Sequence, residues 1–380
     1  MVFKNAREIA SKYPSSPSKL TLATLGSHSA LDICQGAKAE GFRTLVVCQK
    51  GRDKTYSRFY KTRNSGGASV GVVDEVLLLG KFADIAKPEI THKLVSANSI
   101  FIPHRSFEVY VGYEKIENEF AVPIFGNRLL LRAEERTESR NQYYLMEKAG
   151  VRFPRRFARP SEIRGLALVK APEAKRSYER AFFFVTGEKD YREKSAELIR
   201  KGIITEEGLR SAVIEEYILG AQFNFNFFTS PLTGETELLG TDTRRQTNLD
   251  GILRLPAPQQ TELLKYARAN NIEIGHIACT IRESMLDKVI DLGERFAAAA
   301  AREYPPGIIG PFALQGAVIP EEKGEEIVIF DVSLRMPGSP GVRFTPYGEY
   351  LHGVPMSAGR RIAVEIKRAA KKNALAKVVT

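Results

Sequence analysis

Three short stretches of this 380-residue chain carry residue types suited to holding phosphate. The first, Gly26–Asp32 (GSHSALD), stands between a β-prone run and a helix-prone one. At such a junction backbone N–H groups point at a bound anion, and the helix dipole favours negative charge. Ser27, His28 and Ser29 add side-chain donors, so the segment suits a phosphate or a nucleoside monophosphate. Helix capping by Ser or Asp is the plainer use of the same residues. The second, Pro103-His104-Arg105-Ser106, is another turn at the carboxyl end of a strand-like run, and two such turns on one parallel sheet can face a single crevice. The third is Lys170, at the end of the apolar run Leu166–Lys170, with Lys175 and Arg176 in a basic loop beyond it. A lysine there can meet phosphate as a point charge; spacing alone fits a solvated strand terminus better.

Other segments offer carboxylates and guanidinium groups. Glu215-Glu216-Tyr217-Ile218 is an acidic pair entering an apolar segment. Its main chain can bond an adenine edge while a carboxylate takes ribose hydroxyls, though the pattern also describes an ordinary edge strand. Asp242, Arg244 and Arg245 join a carboxylate to guanidinium forks that suit carboxylate or phosphate; a surface salt-bridge patch is the bland alternative. Gln315 and Asp331 lie on two successive strand-like runs. Mg2+ keeps several waters and needs only one or two protein oxygens, so this pair suits it, as it also suits a cross-strand polar contact. Ser333 and Arg335 extend the alternating face of Asp331. His276 stands alone in sequence, and such histidines are more often structural than ligands. The chain has no HExxH, GxSxG, Walker A or GxGxxG motif, which removes zincin, α/β-hydrolase, P-loop and ordinary Rossmann readings.

These residues need elements to hold them. Strand-like Lys19–Leu25, helix-like Ala30–Glu40 and strand-like Thr44–Cys48, Glu75–Leu79 and Ser99–Ile102 follow the grammar of a doubly wound α/β sheet. The middle reads as a helix over Ser139–Ala149, strands over Leu166–Lys170 and Phe182–Val185, a helix over Tyr191–Lys201 and a strand over Ala212–Leu219. Gln222–Thr229 (QFNFNFFT) alternates with the period of a half-buried strand. A polar stretch is expected from Gly240 through Asp250, then a long helix from about Arg282 to Glu303. Phe312–Ile319 and Glu326–Val332 read as a hairpin, Pro337–Pro346 as a Gly/Pro-rich connection and Ser357–Lys372 as a terminal helix.

Composition bounds the rest. Hydrophobic residues make up 43% and charged residues 27%, as in a globular protein with a large core. The three cysteines are in no motif, so neither a disulfide framework nor a cysteine zinc site is expected. No apolar run reaches the ~18–20 residues needed to span a bilayer, and no secretory signal pattern opens the chain; a cytoplasmic protein with no membrane partner is the expectation. The net charge of +11 suggests an anionic partner. The basic residues are dispersed and no RRM, KH or helix-turn-helix signature is present, which argues against nucleic acid.

Taken in order, GSHSALD, IFIPHRSF at 100–107, FGNR at 125–128, EEYILG at 215–220, LLGTDTRRQTNLDG at 238–251, RESML at 282–286, GPFALQ at 310–315 and PMSAGRRIAVEIK at 355–367 resemble one family. It is the archaeal formate-dependent AICAR formyl ligases of purine biosynthesis, and the resemblance runs from about residue 20 to the C-terminus. It implies the ATP-grasp fold: an N-terminal doubly wound domain (1–125), a linker helix and ATP-lid domain (126–220), and a C-terminal α+β domain with the metal site (221–380). It implies ATP, Mg2+ or Mn2+, formate and AICAR as ligands, formyl phosphate as intermediate, FAICAR as product and a homo-oligomer. Carried over by motif, His28, Ser106 and His276 would meet AICAR, the last where the family more often has Asn. Lys170 and Glu215, Glu216, Tyr217 and Ile218 would bind ATP, with Glu237 a further nucleotide candidate. Lys170, Arg244 and Arg245 would serve phosphoryl transfer, and Gln315 and Asp331 would hold the metal where the family has two glutamates. The lid loop Glu173–Glu179 lacks the family's glycines, Arg105 replaces a glycine, and VSLRMPGSPGVRF follows Asp331 in place of the usual run. These departures point to a divergent paralogue. A ligase of another carboxylate and amine, and a non-catalytic nucleotide-binding protein, are the alternatives.

Overall fold

The computed structural model describes the chain except residues 1, 137, 173, 175–179, 267–270 and 323, and the side chains of 2–4, 180, 248–249 and 271–273. Lys175, Arg176 and most of the loop Glu173–Glu179 therefore lie outside the described residues.

Four strands, β1 (Thr21–Leu25), β2 (Arg43–Gln49), β3 (Glu75–Leu79) and β4 (Ser99–Phe101), form a parallel sheet in the order β3-β2-β1-β4. Every residue of β1 and β4 is buried, as a parallel sheet covered on both faces requires. The chain leaves β1 on one side, returns past it and adds β4 on the other. The gap between β1 and β4 is thus the switch point where open α/β sheets bind ligands, and both phosphate-suited turns flank it. Helix α1 (Ala30–Ala39) follows β1; helix α2 (Arg105–Val111) follows β4.

The second sheet is antiparallel: β5 (Arg156–Phe157), β6 (Ala167–Pro172), β7 (Arg180–Val185) and β8 (Val213–Glu216), in the order β5-β8-β6-β7. Val169, Val185, Ile204 and Ile214 pack beneath it. Helix α3 (Gln142–Lys148) precedes it.

The third sheet holds β9 (Ala221–Thr229), β10 (Thr236–Thr247), β11 (Asn271–Cys279), β12 (Gly310–Glu321) and β13 (Gly324–Ser333), antiparallel in the order β11-β10-β9-β12-β13. The alternation of QFNFNFFT divides its two faces. Phe225 and Phe227 enter the core with Phe296 and Phe312, while Asn224 and Asn226 turn the other way, buried among polar groups. Helix α4 (Leu286–Glu303) covers the apolar face. Its Gly293 admits the Phe227 ring, which would stand 2.5 Å from a Cβ there.

Helix α5 (Ala358–Lys371) ties the end of the chain to the first sheet. It crosses α1 at two glycines: a Cβ on Gly36 would stand 2.3 Å from the Arg360 nitrogen, and one on Gly359 2.3 Å from the Asp32 carbonyl oxygen. Asp32 Oδ2 accepts the Gly359 N–H at 3.2 Å.

Two sequence expectations change. The polar stretch opening at Gly240 is strand through Thr247, with Thr241 and Asp242 buried against partners on β9 and β11 and Arg245 exposed. The long helix starts at Leu286, after a single 3-10 turn over Glu283–Met285.

Candidate active site

Register across the third sheet places Asp331, Gln315, Asn224 and Asp242 side by side on one face, over strands β13, β12, β9 and β10. Opposite residues of an antiparallel pair share a face, so this polar row is continuous. The pairing of β12 with β13 skips Phe330 between Gln315 and Gly316, a bulge of the kind that re-aims a side chain beside a site.

Asp331 is where the cations gather. Arg136, from the segment before α3, donates to its Oδ1 at 2.6 Å. Burial would raise this carboxyl, but the charges of Arg136, Arg244, Lys170 and Arg335 hold it below the ordinary range. Lys170, on β6, pairs with Glu215 on β8; the two side chains are 6% and 2% exposed. Lys170 stands opposite Val213 and Glu215 opposite Leu168, so the pair runs diagonally on one face. Tyr143 of α3 donates its hydroxyl to Glu215 Oε2 at 2.8 Å. Burial, then the charge of Arg136, lower the Lys170 ammonium below its usual value. Lys170 is therefore an interior cation, not a solvated strand end. Phe182 and Phe184 flank it on β7, on the same face and about 40% exposed, and the Tyr217 ring meets Phe184 edge-on at 4.8 Å.

A second polar knot lies at the other end of the row. Asp242 accepts from Asn226 Nδ2 at 2.6 Å on Oδ1, and from Asn224 Nδ2 at 2.8 Å and His276 Nδ1 at 2.5 Å on Oδ2. His276 lies on β11 opposite Arg244. His28 and His104, from the turns after β1 and β4, stack at 5.4 Å. Ser29 Oγ donates its one proton to the Pro337 carbonyl at 2.7 Å and so accepts from His28 Nδ1 at 2.6 Å. This leaves His28 Nε2 as a bare acceptor. His28 holds φ at +46°, a strained conformation that aims the ring. Its enclosure and the charges of Arg335, His104, His276 and Arg244 keep it far below its ordinary pKa, hence neutral. His104 is fully buried, bonded to the Leu25 carbonyl and to the Ser106 N–H.

Arg335 connects the two knots to the first sheet. It reaches Glu134 at 3.2 Å and Glu108 of α2 at 3.7 Å, and Glu108 also pairs with Arg105 at 2.9 Å. Glu134 in turn accepts the Leu334 N–H at 2.5 Å.

Lys170, Glu215, Arg244, Asp331, Gln315, His28 and His276 thus belong to one connected region, with Ser106 at its edge on the His104 turn. Glu216 is exposed and accepts from the Arg155 N–H at 3.3 Å, and Ile218 packs against Ala317 and Val328. Two candidates lie elsewhere. Arg245 alternates to the other face of β10 and pairs with Asp250. Glu237 is held by Arg361 and by His352, the latter at 3.1 Å, beneath α5. The residues that sequence reasoning missed are Arg136, Tyr143, Asn224, Asn226, Glu108 and Glu134. Only the asparagines carried a signal, as the polar half of an alternating strand.

Gln315 and Asp331 can offer oxygens to a divalent ion. Among the described residues no group of three or more His, Cys, Asp or Glu could hold a metal. Two protein oxygens completed by phosphate and water are nonetheless a donor set that suits Mg2+.

Comparison with known proteins places this geometry. A family model described as a domain of unknown function (DUF1297) matches residues 190–380, and one described as a protein of unknown function (DUF1246) matches residues 22–157. The 5-formaminoimidazole-4-carboxamide-1-(beta)-D-ribofuranosyl 5'-monophosphate synthetase of Methanocaldococcus jannaschii is 38% identical over 375 residues, 98% of each chain. That of Methanopyrus kandleri is 40% identical over 362 residues, 95% of each. The chain belongs to this synthetase family. Among solved structures it resembles the IMP biosynthesis protein PurP of Thermococcus kodakaraensis, with TM-score 0.69, 27% identity and coverage of 94% and 100%. An ADP complex of purK, N5-carboxyaminoimidazole ribonucleotide synthetase, gives TM-score 0.55 at 14% identity over 89% of this chain and 77% of that one. With that synthetase and PurP the family member described here shares the ATP-grasp fold, as the resemblance implied. No helix among its described residues is long and apolar enough to cross a membrane.

Proposed function

We propose that the protein is an ATP- and formate-dependent ligase that converts AICAR to FAICAR through formyl phosphate, a step towards IMP. The observation that carries this reading is the set of four cations, Lys170, Arg136, Arg244 and Arg335, around the buried Asp331 in a member of the synthetase family. Phosphoryl transfer is catalysed mainly by positioning and charge neutralisation. A formate oxygen takes the γ-phosphoryl group, ADP leaves, and the AICAR amine then displaces phosphate from the formyl carbon.

In this reading Lys170 and Arg244 neutralise the transferring phosphoryl group. Arg245, facing away, takes no part. Glu215, Glu216, Tyr217 and Ile218 line the nucleotide side, with Glu215 fixing Lys170. His28 and Ser106 bind AICAR at the switch point. Gln315 and Asp331 would hold Mg2+, which when bound supplies further charge neutralisation on phosphate oxygens. The three functional units are 1–125 for the ribonucleotide, 126–220 as linker and lid, and 221–380 for phosphoryl transfer. A homo-oligomer fits the apolar edge of the third sheet, where Ile274 and Ile277 of β11 are 67% and 50% exposed.

The test is ADP release across a matrix of acids and amines. Release that requires formate, AICAR and Mg2+ together supports the reading. Release with another acid or amine but not these indicates a different ligase. Thermal stabilisation by AICAR or ATP without turnover indicates a binding protein, since ligands raise stability by mass action.

A further inference from the structure

We infer that Arg52 is the cation that receives the 5'-phosphate of the ribonucleotide, its guanidinium laid against two aromatic rings beside the crevice between β1 and β4. The inference rests on the ligase reading above and adds a substrate-binding residue to it.

A phosphate monoester carries a charge of about −1.5 to −2 at pH 7, and the residues already placed at the switch point do not balance it. Ser106 is uncharged, and His28 is neutral. Arg105 and Arg335 lie near these turns, but buried carboxylates hold them: Glu108 pairs with both, and Glu134 pairs with Arg335. Lys170 and Arg136 belong to Glu215 and Asp331.

Arg52 follows β2, at the carboxyl edge of the first sheet where ligands of such sheets gather. It is exposed, and among the described residues no carboxylate pairs with it. The neighbouring Asp53 is occupied, since it accepts the Ser57 hydroxyl at 2.7 Å.

Two sets of contacts fix where this guanidinium stands. The segment after it packs on the turn that carries His28. A Cβ on Gly26 would stand 2.9 Å from the Tyr56 ring, so glycine there lets that ring lie directly against the turn. On the other side, Arg52 Nη1 donates to the Tyr110 hydroxyl at 3.2 Å. The guanidinium carbon lies 5.4 Å from the centre of the Phe82 ring and 5.5 Å from that of Tyr110, and the two rings stack at 5.0 Å. Tyr110 is on α2, one turn along the same face from Ser106. Arg52 thus ties the segment packed on the His28 turn to the helix that carries Ser106. Its planar fork is preorganised by the rings, so little freedom is lost when its remaining N–H donors bond phosphate oxygens. Lys50, Lys54 and Arg58 on the same segment are also exposed and add to the field that draws an anion in. Arg58, however, stacks on its own neighbour Phe59.

The test compares wild type with Arg52→Met, which keeps the length of the side chain without its charge, and with Arg52→Lys, which keeps the charge without the fork. Arg58→Met controls for the general field. Each protein is assayed with AICAR and with the corresponding riboside, which lacks the phosphate. Arg52→Met should raise the KM for AICAR about 10–100-fold and leave kcat unchanged, since the lost contact is the same in ground and transition states. Arg52→Lys should recover part of that loss, and Arg58→Met should stay within about twofold of wild type. The kcat/KM for the riboside should be the same in all four. An unchanged KM for AICAR in Arg52→Met, an equal loss with the riboside, or an equal loss in Arg58→Met overturns the assignment.

Thermal stabilisation without ATP or formate reads binding apart from turnover. AICAR should stabilise wild type more than the riboside does, and Arg52→Met should abolish the difference. Inorganic phosphate that gives the same Arg52-dependent shift as AICAR would make this a free-phosphate site and overturn the ribonucleotide assignment. The two failures separate. Arg52-dependent stabilisation by AICAR in a wild-type protein that forms no FAICAR counts against the ligase reading alone, whereas turnover whose KM for AICAR ignores Arg52 counts against this site alone.

Discussion

Replacing Lys170 by methionine should separate what this buried charge does for stability from what it does for turnover. Lys170 and Glu215 are both almost fully enclosed. Removing the ammonium leaves Glu215 buried, with the Tyr143 hydroxyl at 2.8 Å and the charge of Arg136 nearby. Breaking a buried ion pair costs about 3–5 kcal/mol. Because Tyr143 and Arg136 remain, the lower figure is expected, about 3 kcal/mol, a fall in melting temperature of roughly 4 °C for a chain of this length. The double variant K170M/E215Q removes both charges, and neutral replacement of a buried pair is close to neutral in stability, so it should melt within ~1 kcal/mol of wild type. Turnover behaves differently. A cation lost from the phosphoryl site costs about 10²–10³ in kcat, in the single and the double variant alike. Thermal melts and ADP release on the same preparations read both quantities. A K170M protein as stable as wild type would refute the buried pair. A double variant that regains turnover would refute the role of Lys170 at phosphate.

Three further outcomes follow from the same structure. Asp331→Asn should raise the KM for Mg-ATP roughly tenfold, about 1.4 kcal/mol, and unchanged affinity and turnover would make Asp331 structural. Asp32 is pushed up to about 6 by burial against α5. Its protonated form is the one the fold favours, so its contribution is fully present below about pH 4 and is lost as pH rises through 6. Asp32→Asn should therefore gain stability relative to wild type by roughly 3 kcal/mol at most between pH 4 and 7, and parallel denaturation curves across that range would contradict this. Ile277→Glu on the β11 edge should reduce the mass measured by light scattering to that of a smaller assembly, and an unchanged mass would place the subunit contact elsewhere.

Local pattern was enough for elements whose neighbours merely repeat them. Glu75–Leu79 was legible end for end, and the hairpin now seen over Gly310–Ser333 was legible from its two apolar runs and acidic turn. β10 was not, because its strand face is polar and its partners are side chains on other strands, which leaves no apolar alternation to read. The site failed in the same way. Arg136 meets Asp331 across 195 positions, and Lys170 is buried against Glu215 from another strand, so its strand-end position suggested solvent. His276 looked solitary because Asp242, 34 positions away, joins it only through strand pairing. Conversely, the two turns that carry His28 and His104 do meet, since the switch point between β1 and β4 is fixed by strand order.

The most direct measurement is ADP release by the purified protein with ATP and Mg2+, with formate and AICAR present singly and together. The account predicts release only when both are present, matched one for one by FAICAR. Release that is indifferent to AICAR, or that appears with another amine and not with AICAR, would contradict it.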